Sequence, residues 1–494
     1  MSNAGNVSKQ VQPMSSGRTV FKNFGALALS GLAITLTQLA EIVYLARVLG
    51  PDNFGILKFG MALLSYFSLI ISLGFCVYGT REVARYPAKT SLLVGNILAM
   101  RVLLAVIAIT CYAVVVLLIR KTVPVKIVLA ILGFNLVGTA FSLEFVYHGV
   151  QRMSVPAVLK VAASAIGFAG IVMFIRQPED VILAACVWII AGFLPILGLI
   201  GKYTHDFSLP RFQWKIEQWK PILKASLPMA ASSIMISIYY NADMVMLGFM
   251  RYEHELGWYA AAYQVHGFVI GPATILSAVF MPPLSKTIHN GYSMRKEAEN
   301  YAQAILLFGI PLAFTGVALS SDIMEIVFGD EFVNANTALI ILMWNSLFVY
   351  VNVMIGTPLI AWNLQKKHMY AVSAGAIANL VLNVILIPRY GIEGAAVATL
   401  CSEMVVFLGV AWFYFQALHW FPIGLLIKIS TCAATAISVV RLFHDVSGIF
   451  HNQVFKLLFN VSSMCALYIL FAVLMRLIPM RKVLNWMGRG NAHI

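Results

Sequence analysis

The sequence predicts an all-α protein that crosses a membrane many times, and three observations lead to this fold class. Hydrophobic residues make up 60% of the 494-residue chain and charged residues only 11%, with a mean hydropathy of +0.85. Apolar runs of about 20 residues recur along the whole chain, and an α-helix of this length crosses a hydrocarbon core of about 30 Å. The connections between the runs are too short to fold as soluble domains.

We predict about 14 membrane spans, since each apolar run of this length marks one candidate helix. In chain order the runs cover residues 23–49, 55–79, 92–119, 125–149, 154–175, 181–203, 224–249, 256–284, 299–319, 335–362, 369–388, 394–416, 422–441 and 452–477. The polar N-terminus lacks the basic-then-apolar order of a signal peptide, so we expect the first span itself to direct insertion.

Charge sets the predicted orientation, because loops rich in Lys and Arg remain in the cytoplasm. With the N-terminus inside, these basic residues fall on the cytoplasmic side: Lys9, Arg18, Lys22, Arg81, Arg85, Lys89, Arg152, Lys202, Arg211, Lys215, Lys220, Lys286, Arg295, Lys296, Lys366, Lys367, Arg481, Lys482 and Arg489. The exception is an outer turn with Arg120, Lys121 and Lys126. An even number of spans places both termini inside. The net charge of +14 then indicates contact with anionic lipid rather than nucleic acid.

The cysteines indicate neither disulfides nor a metal site. All six lie in apolar runs, with no Cys-x-x-Cys pair and no histidine at ligand spacing, so we interpret them as small core residues. They are Cys76, Cys111, Cys186, Cys401, Cys432 and Cys465. No cofactor is predicted.

The segment 202–220 mixes aromatic and basic residues, which is typical of a chain segment at the membrane interface. The residues are Phe207, Phe212, Trp214 and Trp219 with Arg211, Lys215 and Lys220. Two interpretations stay open: a tether between two halves of the chain, or a surface that recognises a lipid-linked substrate.

An internal repeat is predicted at an offset of 202 residues. This offset places Glu41 on Asp243 and Gly55 on Gly257, and it also pairs Ser30 with Ser232, Val43 with Val245 and Leu45 with Leu247. A repeat of this kind relates the two halves by an axis along the membrane normal, a layout that suits alternating access.

Seven segments together resemble one family. They are ARVLGPDNFGILKFG (46–60), GFCVYGTREVAR (74–85), LEFVYHGVQRM (143–153), WKPILKASLPMAASSIMISIYYNADMVMLG (219–248), LGWYAAAYQV (256–265), MPPLSK (281–286) and NLQKKHMYAVSAGAIANLVLNVILIPRYGIEGAAVATLCSEM (363–404). In this order and spacing the chain resembles the polysaccharide and O-antigen flippases (the Wzx type) of the multidrug/oligosaccharidyl-lipid/polysaccharide exporter superfamily.

The resemblance implies two six-helix lobes in a V-shaped arrangement plus two C-terminal helices. The implied segments are a cytoplasmic N-terminal tail (1–22), an N-lobe of spans 1–6 (23–203), an amphipathic cytoplasmic linker (204–223), a C-lobe of spans 7–12 (224–416), two additional spans (417–480) and a cytoplasmic tail (481–494).

The resemblance also implies a non-enzymatic activity. A flippase of this family moves an oligosaccharide on a polyprenyl diphosphate from the cytoplasmic to the outer leaflet of the bacterial inner membrane, for O-antigen or exopolysaccharide synthesis. The expected partners are that lipid-linked oligosaccharide, membrane lipids, a polysaccharide polymerase and a chain-length regulator. A multidrug or metabolite cation antiporter of the same superfamily and a lipid II flippase remain as alternatives. A membrane polymerase or ligase is disfavoured, because no outer loop exceeds about 15 residues.

Phosphates crossing a membrane need cationic partners, and Arg binds them with two hydrogen bonds. The candidates for substrate binding are Arg101, Lys160, Arg47, Arg81 and Arg152. Arg101 lies deepest, and either a cavity or a structural pair with an acid such as Glu144 would explain it. Arg47 has the alternative of extending to the membrane interface, and Arg81 and Arg152 that of ordinary positive-inside residues.

Acids inside spans are costly and often carry protons or sodium in transporters. Four such acids are our candidates for ion coupling or gating: Glu41, Asp243, Glu144 and Glu403. The alternative for each is a buried ion pair or a hydrogen-bonded anchor between helices.

Overall fold

The computed structural model describes residues 17–211, 216–289, 291–442 and 452–477. Within these ranges the chain is helical with short connections and contains no strand, so the predicted all-α class is confirmed. Parts of several predictions lie outside the described residues: most of both tails, and residues 212–215 of the linker, with Phe212, Trp214 and Lys215.

The chain divides into two compact units, the first comprising residues 1–257. In its described part the helices are α1 (Gly17–Ser72), α2 (Phe75–Arg85), α3 (Thr90–Leu118), α4 (Val123–Gly133), α5 (Asn135–Phe141), α6 (Glu144–Gly149), α7 (Ser154–Phe174), α8 (Val181–Asp206) and α9 (Ile216–Met250). Short 3-10 turns cover Pro87–Lys89 and Pro178–Asp180.

The second unit comprises residues 258–494. Its described helices are α10 (Glu253–Lys286), which begins at the end of the first unit, α11 (Gly291–Ala318), α12 (Ser320–Ile323), α13 (Asn336–Ala361), α14 (Gln365–Leu418), α15 (Ile423–Leu442) and α16 (Gln453–Leu474). A π-helical turn (Met324–Phe328) and 3-10 segments (Thr287–His289 and Asp330–Ala335) connect some of them.

Eleven helices among the described residues are long and apolar enough to cross a membrane. A twelfth candidate is α9, whose parts Glu217–Met235 and Ser237–Met250 meet at a 47° bend. Helices α1 and α14 have 56 and 54 residues. At 1.5 Å per residue each is about 80 Å long, more than twice the hydrocarbon thickness. Two passes in each of these would raise the total to the predicted number, which stays a prediction.

The two long helices are interrupted where the predicted spans end. Gly50 has φ 69°, and Pro51, which follows it, has no backbone N–H to donate. Gly391 interrupts α14 with φ 56°. Glycine populates this left-handed region without the steric cost that a Cβ adds. Both breaks therefore arise from local sequence.

Aromatic side chains fill the core of the first unit. Phe75, Phe145, Tyr147 and Tyr203 are buried together, and Phe207 stacks on Tyr203 with ring centroids 5.2 Å apart. Trp219 packs against the same cluster. Two of the aromatic residues assigned to the interfacial linker thus also pack against protein.

A reciprocal contact joins two segments of the first unit that the 202-residue offset makes equivalent. A Cβ added to Gly55 would lie 2.1 Å from the Glu253 carbonyl oxygen, and one on Gly257 would lie 1.9 Å from the Pro51 carbonyl oxygen. Asp52 faces its own equivalent, His254, with Oδ1 and Nδ1 3.5 Å apart. When segment A contacts segment B and the equivalent of A contacts the equivalent of B in the same way, the two copies are related by a two-fold axis. The contacts between residues 51–55 and 253–257 follow this rule and support the predicted repeat.

The basic turn at residues 120–126, which is the exception to the predicted charge pattern, is explained by local contacts. Lys121 lies in the connection between α3 and α4, where Nζ contacts Glu253 Oε1 at 3.2 Å and donates to the Arg251 carbonyl oxygen at 3.0 Å. Lys126 donates to the Leu117 carbonyl oxygen at 2.8 Å, at the end of α3. These two cations stabilise the ends of helices and connections.

We expect Lys121→Gln to lower the free energy of unfolding by about 1–2 kcal/mol, because a partly buried ion pair and a hydrogen bond are lost. Thermal unfolding in detergent would measure the loss. Lys126→Gln removes the same charge from an exposed site and should change the unfolding temperature much less. Equal effects of the two substitutions would contradict the structural role of Lys121.

Candidate substrate-binding cavity

A cavity of about 340 Å³ lies inside the first unit, and residues of helices α1, α2, α3, α5, α6, α7 and α8 line it. Its wall combines charged, polar and apolar groups: Ser72, Cys76, Arg101, Asn135, Gly138, Thr139, Ser142, Glu144, Lys160, Gly192, Phe193, Pro195, Ile196 and Leu199. Two of the five predicted substrate-binding cations, Arg101 and Lys160, are thereby brought together with one predicted coupling acid, Glu144.

Arg101 is the most buried cation of this wall, with 3% of its surface exposed. Nη1 donates to the Ser142 carbonyl oxygen at 2.7 Å, and the guanidinium lies 5.4 Å from the centroid of the Phe145 ring, in cation–π range. Nε has no hydrogen-bond partner among the described residues. Arg101 is therefore held on one side and has hydrogen-bonding capacity left on the other.

The acceptor for Arg101 arises from a broken helix. The predicted fourth span, 125–149, appears as three helical pieces, α4 to α6, and Ser142 follows α5 with extended backbone (φ −65°, ψ 122°). A carbonyl at the end of a helix has no partner within the helix. Such breaks occur inside membranes where they line protein cavities.

Lys160 and Glu144 form an ion pair in the same wall, with Nζ and Oε1 2.5 Å apart. The predicted alternative of an Arg101–Glu144 pair is not observed, because Glu144 has its salt bridge with Lys160. Since the charges of Lys160 and Glu144 compensate each other, the cavity has one net positive charge, which belongs to Arg101.

The remaining predicted cations lie away from the cavity wall. Arg47 is exposed on α1. Arg81 is exposed on α2 and contacts the adjacent Glu82 at 3.2 Å. Arg152 contacts Asp206 at 3.4 Å, an acid that Lys202 also contacts. The structure thus does not place these three in one site, and their binding roles stay predictions.

Glu41, on α1, is 9% exposed and accepts a hydrogen bond from the indole N–H of Trp188 on α8. Asp243, its equivalent in the predicted repeat, is 2% exposed on α9. Both acids are therefore buried among helices of the first unit. The pattern of one acid in each repeat was visible in the sequence, whereas the Trp188 donor comes from a distant helix.

We expect Trp188→Phe to lower the free energy of unfolding by about 1–3 kcal/mol, because Glu41 then loses a buried hydrogen bond. Glu41→Leu removes the acceptor and leaves the indole N–H of Trp188 without its partner, so it should also destabilise the protein. A double-mutant cycle measured by thermal unfolding would separate the pairwise contribution. Additive effects of the two substitutions would contradict an energetic coupling between them.

Glu403 belongs to a polar network inside the second unit. It is 7% exposed, and Oε2 accepts from Asn352 Nδ2 at 2.5 Å. Nearby on α14, Asn383 donates to Asn379 Oδ1 at 3.0 Å. The asparagines were missed in the sequence, because a single amide inside an apolar run gives no charge signal. Glu403 is thus anchored between α13 and α14.

This arrangement defines a class of protein, a multi-pass α-helical membrane protein that holds ionised side chains in a cavity among its spans, as membrane transporters do. The chain belongs to the polysaccharide biosynthesis protein family, whose model matches residues 20–288. The predicted resemblance to polysaccharide and O-antigen flippases is confirmed by this match and by the relatives.

Two relatives are similar over most of the chain. The probable low-salt glycan biosynthesis flippase Agl15 of Haloferax volcanii is 26% identical over 380 residues, which cover 74% of this chain and 78% of the relative. The putative O-antigen transporter of Shigella dysenteriae is 22% identical over 397 residues, covering 78% of this chain and 98% of the relative.

Solved structures show the same fold. The lipid II flippase MurJ in an inward closed conformation gives a TM-score of 0.72 at 16% identity, covering 91% of this chain and 98% of that one. An inward-facing multidrug transporter of the MATE family gives 0.60 at 15% identity, covering 78% and 94%. At these identities the likeness concerns the fold alone, and it agrees with the predicted membrane fold class.

Proposed function

We propose that this protein is a flippase that moves a polyprenyl-diphosphate-linked oligosaccharide from the cytoplasmic to the outer leaflet during polysaccharide synthesis. The cavity of the first unit carries the proposal, because it places a buried, positively charged Arg101 among hydrogen-bonding side chains in a chain of this family. Polar walls replace the hydration that a sugar head group loses inside the membrane. The activity is transport without covalent chemistry.

The proposed mechanism is alternating access driven by an ion gradient, with H⁺ or Na⁺ as the coupling ion. Asp243 and Glu41 are the proposed coupling acids, since both are buried in membrane helices, where an ionised carboxylate is costly and a bound cation stabilises it. Glu403 is a further candidate. For Glu144 the pairing with Lys160 favours a role as counter-ion in the cavity.

The proposed location is the cytoplasmic membrane, with both termini in the cytoplasm. A polysaccharide polymerase and a chain-length regulator are the proposed partners, as they would act on the oligosaccharide once it reaches the outer leaflet. A cation antiporter is disfavoured, because the net charge of the cavity has the sign that repels organic cations.

Reconstituted proteoliposomes test the function directly. A polyprenyl-diphosphate oligosaccharide is supplied, and exposure of its head group is followed with and without a pH or sodium gradient. We expect a gradient to accelerate flipping by the wild type, and Asp243→Asn to lose this stimulation while basal flipping persists. Efflux of an organic cation by folded wild type that flips no oligosaccharide would establish the antiporter, and flipping restricted to lipid II would establish the other alternative.

A further inference from the structure

The net charge of the cavity in the first unit indicates which part of a lipid-linked glycan it could bind, a singly charged sugar or the doubly charged diphosphate. Three of its wall residues ionise, and two of these, Lys160 and Glu144, neutralise each other across 2.5 Å. The guanidinium of Arg101 is then the single uncompensated charge of the wall. A ligand carrying one negative charge would neutralise the cavity, whereas a ligand carrying two would leave an excess of negative charge beside Glu144.

Arg101 keeps guanidinium donors that no acceptor of the described residues satisfies, and a carboxylate would match them. Nη1 is occupied by the Ser142 carbonyl oxygen, while Nε has no partner among the described residues. Nε and Nη2 project in parallel from the other edge of a guanidinium, and such a pair of donors binds both oxygens of a carboxylate. Nε is itself buried, so a small shift of the Arg101 side chain toward the cavity accompanies this binding. Leaving such a group unpaired when 97% of its surface is buried is costly, so a bound anion would stabilise it.

The size and remaining wall of the cavity match one sugar ring. A volume of 340 Å³ lies near the lower end of the range for small-molecule sites, about 300–1,000 Å³. Asn135, Thr139 and Ser72 offer hydrogen bonds to hydroxyl groups, and Phe193 offers an apolar surface for the C–H groups of a sugar. A whole oligosaccharide exceeds this space.

We propose that the cavity binds one acidic sugar of the glycan, a six-membered ring whose carboxylate is held by Arg101 and whose hydroxyl groups meet Asn135 and Thr139. This inference rests on the proposed function and names the substrate class: glycans that contain a uronic-acid type residue. The diphosphate is then bound elsewhere, because its two phosphates carry one negative charge each, about two in total, and do not match the single charge of this cavity.

Cys76 provides a reporter inside the cavity wall, where its thiol is free. In a full-length variant with the other five cysteines replaced by alanine, the rate of alkylation of Cys76 follows the unoccupied fraction. We expect glucuronate at about twice its Kd to slow alkylation by about threefold. Glucose and pyrophosphate at the same concentration should have much smaller effects.

Variants assign the protection to Arg101. Arg101→Gln should abolish the effect of glucuronate, and Arg101→Lys should retain part of it, since one charge remains without the paired donors. Lys126→Gln, a matched loss of charge outside the cavity, should keep full protection. If Arg101→Gln does not fold, Gly192→Ala provides the test. Its methyl group would lie 3.7 Å from Asn135 Nδ2, so it narrows the cavity without a clash and should weaken protection.

Three outcomes would overturn the inference: equal protection by glucose, stronger protection by pyrophosphate, or protection by no ligand at all. Alkylation of Cys76 reports ligand binding whether or not the protein transports, so its result is independent of the flipping assay. A protein that flips an oligosaccharide but shows no protection of Cys76 by glucuronate keeps the proposed function and loses the acidic-sugar site. If glucuronate protects Cys76 but the protein flips no oligosaccharide, the acidic-sugar site stands and the proposed function is lost.

Discussion

Replacing Gly257 by alanine is expected to lower the free energy of unfolding by about 3 kcal/mol or more, since overpacking against a fixed backbone leaves no side chain to move aside. The new Cβ would lie 1.9 Å from the Pro51 carbonyl oxygen and 2.7 Å from its carbon. The start of α10 would have to shift away from α1. The yield of monodisperse protein and its unfolding temperature would measure the change.

The same helix provides the matched control. Gly267, also in α10, has no heavy atom within 4 Å of an added Cβ, so Gly267→Ala should be neutral or stabilise the helix by up to about 1 kcal/mol. Gly55→Ala should be as damaging as Gly257→Ala. Because both glycines serve one contact, the double variant should cost less than the two single losses combined. Unchanged stability of Gly257→Ala would refute the close approach.

Replacing Arg101 by glutamine is expected to slow transport of a lipid-linked oligosaccharide by about 10–100-fold, because the loss of charge-assisted hydrogen bonds costs about 1.5–3 kcal/mol. Glutamine is two bonds shorter than arginine and does not reach the Ser142 carbonyl oxygen as Nη1 does, so the amount of folded protein has to be measured alongside transport. Initial flipping rates in proteoliposomes, at equal amounts of folded protein, would measure the loss.

Lys126→Gln serves as its control, because it removes one positive charge from a side chain in the first turn of α4, outside the cavity wall. We expect its transport rate to stay within about twofold of the wild type, as for most surface substitutions. If Arg101→Gln transports at the wild-type rate while folded, the cavity is not part of the substrate path.

Much of this fold could be predicted from the sequence, because membrane spans follow from the length of apolar runs. The glycines at positions 50 and 391 fell between predicted spans, where the structure has its helix breaks. The break at Ser142 was not predicted, because residues 125–149 form one mainly apolar run of spanning length that contains no proline. That break supplies the acceptor for Arg101.

The charged residues of the candidate site, Arg101, Lys160 and Glu144, could be predicted from the sequence. Which of the two cations pairs with Glu144 could not. A lone Arg101 within an apolar run gives a strong signal, because such a residue is costly without a role. The choice of Lys160 rather than Arg101 as the partner of Glu144 depends on how α6 and α7 pack, which spacing along the chain does not encode. The neutral wall residues, such as Asn135 and Thr139, carry no signal of their own.

The reciprocal glycine contact has a consequence for the history of the chain. Gly55 meets the counterpart of Pro51, Gly257 meets Pro51 itself, and Asp52 meets its own counterpart, His254. A homodimer makes such a contact across its dyad, so the pattern points to a half-length ancestor that paired with its own copy. In that ancestor one codon governed both sides of the contact. A fusion of two such copies would free each side to mutate independently, and the chain now has aspartate at position 52, histidine at position 254 and glycine at both 55 and 257.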